Sequence, residues 1–488
     1  LNAEAENLTF DEALSTASKT WEDELSKIMV TDTSTVNKTK FYTGLFHALL
    51  GRGLANDVNG QFPENDGSIG QIPLDANGNP EFNFYNTDAI WGAFWNLTQL
   101  WKLAWPEYYN DLVQTHLAVY KNSGWMGDGL ANSRFVSGVG TNFVSLMIAS
   151  AYQAGIRDYD VELAFKAAYE NEVRYKNRIE GAGKTDLKGF VENGYINYIP
   201  GMETTPEGSH TLEYCFSSYA VAQFAKALGK QKEYEELMRL SENWKNLYDE
   251  QTDFIRPKDS SGNFLDDFDP FAPWIGYQEG NAWQYTFYVP HQPKELVEKM
   301  GEEKFVKRLD SIFTVSEKTK FGGEQIDAFA GLNYLYNQGN QPNLHIAYLF
   351  NFTDKPWLTQ KWVREICDGF YGVEPIHGYG YGQDEDQGQL GAWYNMAAIG
   401  LFDVKGLVEI DPVFQLTSPI FDKIEIKSGW GSSITIETKD NLPENHYIQS
   451  LKVNGTQRHT NQIPLDVLKK GAKLEYQLGP EPDKEWFN

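Results

Sequence analysis

The sequence predicts a mainly α-helical fold, a helical toroid carrying a small β-rich unit at its C-terminal end. Three observations predict it. Apolar residues recur at three- and four-residue steps through most of residues 1–405. The helical stretches pair through short links into hairpins, separated by long loops rich in Gly, Pro, Asn and aromatic residues. After about residue 405 the apolar period changes to two. An ordinary helical bundle with decorated loops is the competing architecture.

In chain order, residues 11–29 place Leu14, Ala17, Trp21, Leu25 and Ile28 on one helical face. Residues 213–228 repeat the spacing with Phe216, Ala220, Phe224 and Ala227, and Gly229 suits a helix C-cap. A second helix follows at once, with Tyr234, Leu237, Trp244 and Tyr248, so the two form an antiparallel αα-hairpin. Residues 388–402 give another helix through Trp393, Ala397 and Leu401. The loops 51–88, 122–142, 254–292, 321–345 and 371–389 are too long to be neutral connectors, and ordered loops of that length are usually functional. In a toroid they converge at one mouth. The pairs Ile424/Ile426, Ile434/Ile436 and Leu451/Val453, then Leu474, Tyr476 and Leu478, alternate as half-buried strands, with a hairpin turn at 453–457. The expected division is a helical domain over 1–405 and a β-rich accessory region over 406–488.

Composition narrows the function. The chain has 488 residues, 42 of them Lys or Arg against 68 Asp or Glu, for a net charge of −26. So acidic a surface repels phosphate backbones and anionic lipid, which argues against nucleic acid as a partner. No apolar run approaches the roughly 18 residues of a membrane span. No basic segment followed by an apolar one opens the sequence, so the expectation is that a signal peptide is absent or already removed. Two isolated cysteines, Cys215 and Cys367, make neither a disulfide framework nor a zinc cluster. Aromatic residues reach 14%. Rings stack on the C–H faces of sugars and carboxylates bind sugar hydroxyls, so the composition leans towards carbohydrate; a ring-rich core is the plainer explanation.

Two loops concentrate the chemistry. In 381–394, Asp384, Glu385 and Asp386 sit between glycines just before a helix, flanked by Tyr379, Tyr381 and Trp393. Carboxylates near a helix N-terminus can activate water or hold Ca²⁺; a solvated acidic turn is the structural alternative. In 273–292 one acid, Glu279, lies among six aromatic residues. A carboxyl against rings is desolvated, which raises its pKa towards what a general acid needs; a Glu bonded to loop amides is the alternative. Residues 336–351 add Asn340, Gln341, Asn343 and His345, whose oxygens suit Ca²⁺ or a simple helix N-cap. His210 and Glu213, one turn apart, either line the mouth or start the following helix. No G-x-S-x-G, P-loop, H-E-x-x-H or dinucleotide fingerprint occurs. Glycoside hydrolysis fits what remains: inversion needs one carboxyl to protonate the leaving oxygen and another to activate water, about 6.5–9.5 Å apart.

Several stretches are familiar. "EGNAWQYTFYVPH" (279–291), "GNQP" (339–342), "KPWLTQKWVREI" (355–366), "DEDQGQLGAWY" (384–394) and "TLEY" (211–214) resemble glycoside hydrolase family 92, a family of calcium-dependent, inverting exo-α-mannosidases. "KFYTGLFHALL" (40–50), "DVNGQF" (57–62) and "GPEP" (479–482) are similar too, and the order is kept over nearly the whole chain. The resemblance implies an (α/α)6 toroid, with Glu279 as general acid and Asp384 and Asp386 as candidates for the base. It implies Ca²⁺ held by Asn340, Gln341 and Asp386. The expected substrate contacts are Asp88, Trp91, His210, Glu213, Trp283, His345 and Tyr381, and the expected setting is secreted or periplasmic.

The departures from the family pattern bear on the sugar. Gln341 stands where the family has Glu, Trp91-Gly92-Ala93-Phe94-Trp95 replaces "WDTFR", and Ser217 and Ser218 replace two acids. Gly140-Thr141-Asn142 replaces a "GDH"-like stretch. Family members also begin with a β-sandwich. This chain begins near the toroid, so the sandwich is expected on a separate chain, in a missing segment, or not in this branch. The predicted function is an exo-acting inverting α-glycosidase of α-mannosidase type. The alternatives are a related hydrolase with another sugar specificity and a non-catalytic glycan-binding protein.

Overall fold

The computed structural model describes the chain except for residues 1–2, 4–5, 88–89, 132–133, 200–205, 325–329, 375–385 and 487–488. The first helix, α1 (Phe10–Leu25), starts at a capping box in which Thr9 and Glu12 satisfy each other's backbone N–H groups. It ends earlier than its spacing predicts. Ile28 belongs instead to strand β1 (Ile28–Thr31), where pairing with Ile426 buries it completely. The apolar face of α1 is also thinly covered: Trp21 meets Phe46 at 4.5 Å, but Phe10 is 80% exposed.

The helical body follows as α2 (Thr35–Leu50), α3 (Leu97–Ala104), α4 (Pro106–Ser123), α5 (Val144–Ala154), α6 (Val161–Val173), α7 (Glu207–Ala227) and α8 (Gln231–Ser241). It continues as α9 (Pro293–Met300), α10 (Glu302–Ser316), α11 (Trp357–Gly369) and α12 (Gln389–Ile399). The α7–α8 hairpin forms with Gly229 in the left-handed conformation at the turn, but α8 ends at Ser241, so Trp244 falls in the 3-10 turn Asn243–Asn246 and Tyr248 in a short strand, not on the helix face their spacing predicts. However, α7 begins at Glu207, so His210 and Glu213 lie inside a helix rather than at its start. Every residue from Glu207 to Ala225 is buried, so α7 runs through the interior. The long stretches between helices carry little regular structure beyond small hairpins, such as Gln61–Pro63 with Ile69–Gln71.

The C-terminal segment supplies β2 (Lys423–Lys427), β3 (Ser433–Lys439), β4 (Tyr447–Val453), β5 (Thr456–Arg458) and β6 (Ala472–Gly479). With β1 they form one six-stranded sheet in the order β1-β2-β3-β6-β4-β5, antiparallel except for β3 with β6. The sheet therefore recruits its edge strand from the start of the chain. Asn454 and Gly455, both at positive φ, make the two-residue turn between β4 and β5. The inward residues of the sheet, Ile424, Ile426, Ile434, Ile436 and Leu474, join the same hydrophobic core as the helices.

That core absorbs much of the aromatic content. Trp95, Trp101, Trp244, Trp362 and Trp393 are all fully buried. Most rings are thus structural, and the few that reach a cavity stand out. Among the described residues no helix is long and apolar enough to cross a membrane.

Candidate functional site

The turn that carries Asp386 is held against α2 by glycine contacts. A Cβ on Gly388 would lie 2.5 Å from Ala48 Cα, and one on Gly51 would lie 2.5 Å from Gln387 Cβ. Lower down, a Cβ on Gly44 would lie 2.7 Å from the Gly391 carbonyl oxygen. Only glycine permits this approach, and Arg52 Nη1 secures it by donating to the Gln387 carbonyl at 2.7 Å. Asp386 and Gln387 both adopt left-handed backbone, with φ of 46° and 54°. Such geometry costs roughly 1–2 kcal/mol per non-glycine residue and clusters at functional sites. It leaves the Asp386 carboxylate accepting from Trp91 Nε1 at 2.8 Å and from Gln341 Nε2 at 2.6 Å, both on Oδ2.

Gln341 reaches that carboxylate through space left by a missing side chain. Gly92 has φ of 82°, and a Cβ there would stand 2.6 Å from Gln341 Cβ. The neighbouring Asn340 donates from Nδ2 to the Glu279 carbonyl at 2.7 Å. Residues 340–341 thus tie the Glu279 loop to the Asp386 turn. Glu279 is itself left-handed, with φ of 49°. Its loop is pinned on both sides: Gln278 N donates to Ser209 Oγ at 2.9 Å, and Tyr285 Oη donates to the Gln278 carbonyl at 2.8 Å. Asn281 then caps the short helix Ala282–Tyr285 through its side-chain oxygen.

Between these loops lies a small pocket. Its polar lining is Glu213, Gln278, Glu279, Asn340 and Gln341. The rest includes Trp91, Trp95, Val139, Phe143, Tyr285 and Tyr288. Glu213 comes up from α7 and is 5% exposed. Its carboxyl is held well above the usual carboxylate range, first by burial and then by the charges of Asp128 and Glu279. Its Oε2 has no hydrogen-bond partner among the described residues. An unsatisfied buried acceptor costs about 1–3 kcal/mol.

A closed charge network lies near this acid. Lys184 and Glu172, 1% and 0% exposed, pair at 2.7 Å. Lys184 also donates to Ser217 Oγ at 2.6 Å, while Ser217 and Ser218 donate to Glu172 at 2.8 and 3.1 Å. Ser217 and Ser218 are therefore parts of an internal network and do not line the cavity. Asp128, raised to about 6 by burial, accepts from Ser137 Oγ and from the Asn142 backbone, which shapes the 137–142 wall.

The structure brings Glu279, Glu213, Asn340, Gln341 and Trp91 to one cavity, with Asp386 bonded to two of its lining residues. Three expected contacts fall elsewhere. His345 is fully buried, stacks on Trp95 at 4.3 Å and bonds the Phe287 carbonyl through Nε2 at 2.9 Å. Burial lowers its pKa to about 3, so it is a neutral prop behind the Trp95 wall. His210 holds the Val139 carbonyl through Nε2 at 2.8 Å and supports the wall without lining it. Trp283 packs on Phe254 at 5.0 Å and on Phe271 at 5.8 Å, away from the cavity. Asp88, Tyr381 and Asp384 lie outside the described residues. Sequence reasoning missed the walls formed by Val139, Phe143, Tyr285 and Tyr288; the ring pair at 285 and 288, one helical turn apart, was the available signal.

Comparison with known proteins gives consistent results. The model of the glycosyl hydrolase family 92 catalytic domain matches residues 1–480. An uncharacterized secreted glycosidase of Arthroderma benhamiae is 28% identical over 428 residues, which is 79% of this chain and 51% of that protein. A family GH92 α-mannosidase of Bacteroides thetaiotaomicron, solved with mannoimidazole, superposes with a TM-score of 0.87 at 27% identity, covering 99% of this chain and 61% of that one. A family GH92 inverting mannosidase of the same organism gives 0.86 at 26% identity, with 99% and 65% covered. The chain spans about half the length of the fungal relative and less than two thirds of the two bacterial chains.

Proposed function

The chain belongs to glycosyl hydrolase family 92, and on that premise we propose that it is an exo-acting α-glycosidase of α-mannosidase type that works with inversion. The observation that carries this reading is the linkage of the Glu279 loop to the Asp386 carboxylate through Asn340 and Gln341, which line one small pocket with Glu279. Glu279 donates its proton to the glycosidic oxygen as the C1–O bond breaks. Asp386, or Asp384 beside it, takes a proton from the water that forms the new C1–O bond on the opposite face. The helices would close as an (α/α)6 toroid with these loops at one mouth. A secreted or periplasmic setting agrees with glycan as substrate. The test is hydrolysis of aryl and disaccharide α-mannosides followed by NMR from the first minutes. The expected first product is the β anomer; an α first product overturns inversion, and inertness towards every α-glycoside overturns the enzyme reading in favour of a glycan-binding protein.

Ca²⁺ enters as a weakly held cofactor. The donor set fits a hard cation in kind, because Asn340, Gln341 and Asp386 offer amide and carboxylate oxygens. The Asn340 amide is also oriented by its bond to the Glu279 carbonyl, which turns its oxygen away from that acceptor. The set is poor in charge: among the described residues no group of three or more His, Cys, Asp or Glu could hold a metal. When bound, Ca²⁺ would supply positive charge to orient sugar hydroxyls. Gln341→Glu adds a carboxylate worth a few kcal/mol at an effective dielectric near ~20. Calorimetric titration is expected to show weak Ca²⁺ binding by the natural chain and at least ~10-fold tighter binding by the variant. If neither binds, and EDTA changes neither turnover nor Tm, the cation has no role and Gln341 serves only to hold Asp386.

A further inference from the structure

A larger groove, of about 740 Å³, lies where α1, the end of α2 and the α3–α4 link meet. Its volume is within the ~300–1,000 Å³ range of ligand sites. It shares no lining residue with the pocket of Glu279. Yet Arg52 lines it and donates to the Gln387 carbonyl at 2.7 Å, so the groove backs onto the turn that carries Asp386. Its walls set ring faces among carboxylates. Trp21, Tyr85 and Tyr108 are half-buried there, beside Glu24, Glu107 and Asp111. The rings are held in place: Trp21 packs on Phe46 at 4.5 Å, and Tyr85 meets Tyr108 edge-on at 4.8 Å. The cations are engaged within the protein. Lys27 pairs with Glu24 at 2.7 Å, Arg52 holds Gln387, and Lys427 Nζ stands 3.4 Å from Ser26 Oγ. Glu24 is also occupied, accepting from Trp105 Nε1 at 2.6 Å. Asp111 differs. Its hydrogen bonds from Asn83, at 3.0 Å from N and 3.2 Å from Nδ2, both end on Oδ2, which leaves Oδ1 with acceptor capacity.

We propose that this groove is a second glycan-binding site, which holds a neutral sugar chain beside the catalytic pocket without cleaving it. The groove offers the two contacts that sugars use. The faces of Trp21 and Tyr85 suit the C–H faces of sugar rings, and Asp111 accepts charge-assisted hydrogen bonds from hydroxyls. An anionic ligand would meet three carboxylates while the neighbouring cations are already paired, so phosphate and nucleic acid are disfavoured. A neutral polyol meets no such repulsion. The location gives the site its use. A glycan anchored here is tethered next to the Asp386 turn, and its free ends reach the catalytic pocket at a raised effective concentration. The inference goes beyond the glycosidase reading and does not need it: the groove would bind glycan whether or not the chain cleaves one.

The test is affinity electrophoresis in gels that contain neutral mannan or dextran, on the natural chain, Trp21→Ala and Asp111→Asn. Trp21→Ala removes a ring face. Asp111→Asn keeps an oxygen for Asn83 and turns the remaining acceptor into a donor, so it decides the matter if Trp21→Ala loosens α1 and lowers Tm. The natural chain is expected to be retarded by at least one of the two polysaccharides. Each variant should bind it about 10-fold more weakly, the usual cost of losing a stacked ring or a charge-assisted hydrogen bond. Turnover of a small aryl α-mannoside, read as kcat/KM, should stay unchanged in Asp111→Asn, because that substrate fills only the catalytic pocket. Retardation by neither polysaccharide overturns the proposal. So does retardation of Asp111→Asn equal to that of the natural chain, which would place the binding elsewhere. A loss of aryl mannoside turnover in Asp111→Asn matching its loss of binding also overturns it, since the groove would then act only through the Asp386 turn. If the natural chain is retarded, the variants are not, and no mannoside is cleaved, the groove keeps its role and the glycosidase reading fails.

Discussion

Glu279→Gln is expected to slow cleavage of mannosides with poor leaving groups by about 10²–10⁴-fold, the usual contribution of a positioned general acid. A dinitrophenyl mannoside should lose far less, because its leaving phenolate needs no proton. The comparison is clean because Gln has the size of Glu and the same preference against the left-handed backbone that Glu279 occupies at φ 49°. The Asn340 contact is also preserved, since it is made to the backbone carbonyl of residue 279 and not to its side chain. A Brønsted plot of kcat/KM against leaving-group pKa should therefore be steeper in the variant. Equal losses across all leaving groups would remove Glu279 from the acid role and point to a change in the loop.

The parts of the fold that could be read from the sequence are those set by local rules. The α7–α8 hairpin announces itself by Gly229, and the β4–β5 turn by Asn454-Gly455. The C-terminal strands follow from alternation that the sheet then buries on one face. The parts that could not be read depend on partners far away in the chain. Ile28 fits a helical face by spacing, yet pairing with Ile426 places it in a strand. The early start of α7 was hidden because a helix buried on all sides has no polar face to define its period. The site divides in the same way. Glu279, Asn340 and Gln341 stand in recognisable stretches and do line the cavity. His345 has the chemistry of a ligand, but its position behind Trp95 is a packing outcome that no short stretch encodes. The space that Gly92 leaves for Gln341 is also invisible locally, since it joins residues on two distant loops.

Asp386→Asn should reduce turnover by about 10²–10⁴-fold, and by the same factor for good and poor leaving groups, because every substrate needs the activated water. Asn is the informative replacement. It tolerates the left-handed conformation that residue 386 adopts at φ 46°, and its side-chain oxygen can still accept from Trp91 Nε1 and Gln341 Nε2. Tm should accordingly change little, which separates lost chemistry from lost structure. Azide supplies an independent check: as an anion it needs no base, so it should attack C1 directly as the aryl oxygen departs, giving a β-glycosyl azide and partial recovery of aryl release. The neighbouring acid provides the contrast. If Asp386→Asn keeps turnover within about tenfold while Asp384→Asn abolishes it, the base is Asp384. Asp386 would then act by fixing Trp91 and Gln341 at the cavity wall, a role its two side-chain hydrogen bonds already equip it for.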